Sequence, residues 1–119
     1  MNETLDFKEY QRLAHGTALP IDVSRLTGHQ IYACLGLANE AGEVGGLIKK
    51  ALRGDYGNNP DKNIEFITKL NSEIGDVIWY IAELATQFNL NLELTAIGNL
   101  EKLKSRQARG VLQGDGGAR

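Results

Sequence analysis

The sequence predicts an all-α protein: one domain over residues 1–119, built as a four-helix bundle that associates into oligomers, with a glycine-rich tail over 110–119. Three observations carry this expectation. Apolar residues recur at the spacing of an amphipathic helix in four segments. The longer segments are bounded by helix start and stop residues. Two acidic pairs of one form, Glu40-Ala41-Gly42-Glu43 and Glu73-Ile74-Gly75-Asp76, each lie inside a long helical segment and border its apolar stripe.

Phe7, Tyr10, Leu13 and Ala14 define a short first helix over about residues 3–15. Residues 16–27 contain Pro20, Asp22 and Ser24 and read as a connecting loop. The second helix runs from an N-cap at Thr27 to Arg53, with Gly54 just past its end. Leu37, Ala41, Val44, Ile48 and Ala51 form its stripe, and Glu40 and Glu43 run along one edge. Gly36, Gly42, Gly45 and Gly46 fall inside this helix, where each costs up to ~1 kcal/mol relative to Ala. They fit either tight helix–helix packing or a ligand close to the backbone.

Asn59-Pro60-Asp61 reads as the start of a third helix, with Pro at its first position, continuing to about Phe88. Its wide stripe includes Ile64, Ile67, Leu70, Ile74, Ile81 and Ala85. On a helical wheel the stripe centres roughly 90° from Glu73 and about 150° from Asp76. Glu73 therefore belongs at the rim of the buried face, and Asp76 further round. Trp79 and Tyr80 read as core or subunit contacts, with base stacking as the alternative. Asn91 caps a fourth helix that runs to about Arg109, where Gly110 stops it.

Carboxylates three residues apart on a helix lie roughly 60° apart, on nearly the same face. Two such helices side by side aim Glu40, Glu43, Glu73 and Asp76 into one small volume, where like charges raise each other's pKa. A hard divalent cation such as Mg²⁺, which takes oxygen ligands and keeps several waters, is the natural occupant. The bland alternative is a set of solvated surface acids.

Lys102, Lys104, Arg106, Arg109 and Arg119 gather in the last stretch of the chain. They form either a solvated face or an anion clamp beside the carboxylates. Together with the glycine-rich second helix, these are the parts of a metal-dependent phosphate-ester site. Other chemistries fit less well. Neither His15 nor His29 follows a glutamate at the three-residue spacing of a di-iron bundle, and a zinc site would want more Cys and His. No P-loop is present. Cys34, in an apolar helical stretch, reads as a buried inert thiol.

A net charge of -2 and a pI near 5.7 argue against a general nucleic-acid binder. No apolar run reaches the ~20 residues that span a bilayer, so no membrane partner is expected. The start, Met1-Asn2-Glu3-Thr4-Leu5-Asp6, lacks the apolar region of a signal peptide. A lone cysteine suits a reducing compartment, and a cytoplasmic location is expected.

The segments Gly36-Leu-Ala-Asn-Glu-Ala-Gly-Glu-Val44 and Glu73-Ile-Gly-Asp-Val-Ile-Trp-Tyr80 resemble the MazG family of all-α nucleoside triphosphate pyrophosphohydrolases. So does Asn99-Leu-Glu-Lys-Leu-Lys-Ser-Arg106, which looks like the family's Asn-x-x-Lys-x-x-x-Arg helix. The resemblance covers about residues 30–119. It implies Mg²⁺, with Mn²⁺ as a substitute, bound by Glu40, Glu43, Glu73 and Asp76. It implies that Lys69, Lys102 and Arg106 contact the triphosphate or support the site, that Asn99 orients the nucleotide, and that Lys49 and Lys50 contact phosphate. The position of Lys49 and Lys50 at a helix C-terminus already suits them to its dipole. Ser72 departs from the pattern, standing where many members carry a second glutamate.

The resulting expectation is an enzyme that hydrolyses a nucleoside or deoxynucleoside triphosphate to the monophosphate and pyrophosphate, housecleaning the nucleotide pool as a homodimer or homotetramer. A related dUTP or nucleoside diphosphate hydrolase and a non-catalytic helical interaction module are the alternatives.

Overall fold

A computed structural model describes residues 6–113. Among them the chain is all helical, with α1 at Phe7–His15, α2 at Gly28–Leu52, α3 at Ile64–Gln87 and α4 at Leu92–Ala108. Residues 3–5 of the expected first helix, and Arg119 with most of the glycine-rich tail, lie outside the described residues.

Each α-helix begins where a side chain takes up an orphan backbone N–H. Asp6 accepts from the Glu9 amide at 2.8 Å. Thr27 accepts from the Gln30 amide at 3.1 Å while the Gln30 side chain accepts from the Thr27 amide at 2.9 Å, a reciprocal capping box. Asn91 accepts from the Leu94 amide at 3.1 Å. The α2 exit turns through Gly54, whose φ of 94° lies in the left-handed region that favours glycine.

Two expectations about boundaries are corrected. Asn59 makes no side-chain cap, and Pro60 starts only a 3₁₀ turn at Pro60–Lys62. The α3 cap is Asn63, which accepts from the Phe66 amide at 3.1 Å and donates its own amide to the Tyr56 carbonyl at 3.1 Å. The loop over 16–27 also carries a 3₁₀ turn at Val23–Arg25, which the Asp22 side chain caps through the Ser24 amide.

The α2 and α3 helices run antiparallel and carry most of the packing between helices. Among the described residues, Ala33 and Leu47 of α2 and Phe66 and Ala85 of α3 are the buried apolar side chains. The Tyr56 ring leans on Phe66 at 5.2 Å. At the other end of the pair, the Gln30 side-chain amide donates to the Gln87 carbonyl at 3.1 Å. Neither α1 nor α4 adds a buried apolar residue.

The chain is consequently open. It exposes 10018 Å², whereas a compact 13.0 kDa monomer exposes about 6,300 Å². Its radius of gyration is 20.6 Å, against about 13.5 Å for a compact chain of 119 residues. Cys34 is exposed, contrary to the buried thiol expected. With α3 as its main packing partner, α2 leaves the flank bearing Cys34 lining an open apolar groove of about 410 Å³ with Leu26, Leu35, Leu84 and Phe88.

Candidate metal centre

The antiparallel pair brings α2 and α3 together midway along their length, and three carboxylates meet there. One oxygen each from Glu40, Glu73 and Asp76 lies within 4.8 Å of the others. Glu40 and Glu73 are half-buried and Asp76 is exposed, in the order the helical wheel gives for the two α3 acids. Glu43, one turn along α2, is exposed and stands outside the trio, although its charge still reaches Glu40.

The trio is a cluster of like charges. The Glu40 carboxyl is held above its ordinary value, first by loss of hydration between the helices and then by the charges of Asp76, Glu73 and Glu43. The ion pairs among the described residues are elsewhere: Arg12 with Glu9, Arg53 with Asp55, and Lys69 with Glu65. A donor set of convergent carboxylates fits a hard divalent cation, which supplies the positive charge that no ion pair among the described residues brings to the trio.

Because the folded state raises the Glu40 pKa, folding favours its protonated form. That contribution to stability is present below the ordinary glutamate value and is lost as pH rises through the raised one. The thermal midpoint of wild type relative to Glu40→Gln is therefore expected to fall between pH 4 and pH 7 without metal, and to recover on adding Mg²⁺. Parallel melting curves of the two proteins across that range would contradict the assignment.

Beside the trio is an open cleft of about 400 Å³ bounded by Glu40, Asp76, Trp79 and Tyr80. Trp79 is 58% exposed, so it is no part of this chain's core. Its ring meets that of Tyr80 edge to face at 4.9 Å. Tyr80 is half-buried and lies against Gly36 of α2, where a Cβ would overlap its ring. A Cβ at Gly42, Gly45 or Gly46 would meet nothing within 4 Å, so packing among the described residues explains only Gly36 of the four interior α2 glycines.

The basic residues are placed differently. Lys69 donates to Glu65 at 3.0 Å and to the Tyr56 hydroxyl at 3.4 Å, one turn before Glu73. Lys49 and Lys50 are exposed in the last turn of α2. Asn99 and Lys102 are exposed on α4, and Arg106 is buried there at 6% exposure. None of these six lines the cleft beside the trio. The pairing of Gly36 with Tyr80 was missed in the sequence; its one signal was a glycine placed at cost inside a helix.

The model of the MazG nucleotide pyrophosphohydrolase domain matches residues 29–111, which hold all four acidic residues and the Asn99–Arg106 stretch. The Gene 37 protein of Mycobacterium phage L5 is 44% identical over 85 residues, covering 71% of this chain and 72% of that protein. No solved structure matches the chain. With α3, α4 and all of α2 but its first residue inside the matched region, the chain belongs to the MazG nucleotide pyrophosphohydrolase family.

Proposed function

We propose that the protein hydrolyses nucleoside or deoxynucleoside triphosphates to the monophosphate and pyrophosphate, with Mg²⁺ as cofactor and Mn²⁺ as a substitute. The role is housecleaning of the cytoplasmic nucleotide pool. One observation carries the reading: Glu40, Glu73 and Asp76 converge within 4.8 Å with no cation from the described residues to balance them, in a chain of this family.

These three residues would hold the ion, with Glu43 as the fourth carboxylate. When bound, a divalent ion offsets the charge of phosphate oxygens and acidifies a water. The remaining parts belong to the chain itself. Trp79 and Tyr80 wall the cleft against the carboxylates and would bound the nucleoside. Asn99, Lys102 and Arg106, with Lys49, Lys50 and Lys69, would bind the triphosphate or support its binding. Since the α4 residues do not line the cleft of their own chain, a neighbouring subunit is the natural source for them. The assembly proposed is a homodimer, doubled to a homotetramer.

Incubation with Mg²⁺ and a panel of triphosphates, with chromatography of the products, tests this reading. Monophosphate and pyrophosphate are expected. Orthophosphate and diphosphate would contradict it, and turnover confined to dUTP or to diphosphates would narrow it to a related hydrolase. Lys102→Ala is expected to raise KM for the triphosphate roughly ten-fold or more, the cost of one charged hydrogen bond. Unchanged kinetics would leave Lys102 a solvated side chain.

A further inference from the structure

We infer that Gly36 and Tyr80 are a positioning pair that fixes the α2–α3 register on which the carboxylate trio depends; the inference rests on the metal-centre reading above. Gly36 stands one turn before Glu40 on α2, and Tyr80 one turn after Asp76 on α3. In an antiparallel pair, these two couples are neighbouring rungs of one ladder. The Tyr80 ring lies on the bare backbone of Gly36, and a Cβ there would overlap ring carbons Cε1, Cδ1 and Cζ.

The ring is also held from its sides. Trp79 meets it edge to face at 4.9 Å, and Tyr32, one turn before Gly36, lies at 6.3 Å. To make room for a Cβ at Gly36 the ring would have to leave these two contacts. The contact is specific among the interior glycines of these helices. A Cβ at Gly42, Gly45 or Gly46 on α2, or at Gly75 on α3, would meet nothing within 4 Å.

The geometry of the trio makes the register matter. A slip of one helical turn moves one helix by about 5.4 Å past the other. That exceeds the 4.8 Å within which the three carboxylate oxygens meet. Prying the helices apart to admit a methyl group misplaces the ligands by about 1 Å, which is enough to cost an order of magnitude or more at a site that needs defined geometry.

The test is a cycle of Gly36→Ala, Tyr80→Ala and the double variant, with Gly28→Ala at the exposed start of α2 as control. Mn²⁺ binding is measured by calorimetry on the nucleotide-free protein, and thermal midpoints are recorded without metal. Alanine is the better helix former, so propensity alone would stabilise Gly36→Ala. The expected result is the opposite: Mn²⁺ binding at least ten-fold weaker and a lower midpoint. The double variant, with room for the methyl group, is expected to bind more tightly than Gly36→Ala and to melt above the sum of the single changes.

Binding and melting of Gly36→Ala like those of the Gly28→Ala control would overturn the inference. So would a double variant no better than Gly36→Ala. Should Gly36→Ala alone fail to fold, recovery of the fold in the double variant supports the pairing and its absence overturns it. If wild type itself shows no Mn²⁺ binding that Asp76→Asn removes, the metal-centre reading fails and the proposed role with it, whatever the melting data show.

Discussion

Asp76→Asn is expected to lower turnover at least about a thousand-fold while leaving the thermal midpoint of the metal-free protein unchanged or higher. The substitution keeps the shape of the side chain and removes one anion from a cluster whose members already repel one another. In the proposed site it would also remove a ligand from an ion that stabilises transition-state charge by several kcal/mol, and each 1.36 kcal/mol corresponds to about ten-fold in rate. The same loss is expected of Glu43→Gln, the fourth carboxylate of the proposed site. Near wild-type turnover at saturating Mg²⁺ in either variant would remove that residue from the metal site.

Light scattering at micromolar concentration is expected to give a monodisperse species of at least two chains. The open chain exposes roughly 3,700 Å² more than a compact monomer of 13.0 kDa would. A standard interface removes only about 800 Å² per partner, so the excess suffices for more than one contact per subunit. Exposed Leu35, Ile74, Ile78 and Ile97 show how much of it is apolar. Closed symmetric association, dimers first and then dimers of dimers, is the common way to cover such faces. Leu35→Glu, on the wall of the apolar groove, is expected to shift the mass toward one chain and to lower the thermal midpoint. A monodisperse, fully active 13.0 kDa wild-type species would contradict the proposed assembly.

Local signals in the sequence read well where one residue makes one bond. Thr27 and Asn91 are caps in the structure as in the sequence, because their side chains can reach only the nearby amides. The proximity of Glu73 and Asp76 was legible for a similar reason, since helical geometry alone puts them on nearly one face. The start of α3 was misread because Asn59 and Asn63 are both competent caps. Tertiary context decides between them, through the bond from Asn63 to the Tyr56 carbonyl.

What the sequence could not give is how two helices meet. The wheel places Glu40 and Glu43 along one edge of α2, but only the α2–α3 register selects Glu40 for the trio and leaves Glu43 outside it. The same holds for Gly36, which looks like three other α2 glycines until Tyr80 is seen against it. The exposure of Cys34 was equally out of reach, because an apolar stripe shows that a face will be covered without saying that α3 covers only part of it.

Hydrolysis of a preferred triphosphate in ¹⁸O-water with Mg²⁺, followed by mass spectrometry of both products, tests the proposed reaction most directly. Attack of water on the α-phosphorus places the label in the nucleoside monophosphate and leaves the pyrophosphate unlabelled, which is the expected result. Label in the pyrophosphate, label in orthophosphate, or no turnover across the triphosphate panel would contradict it.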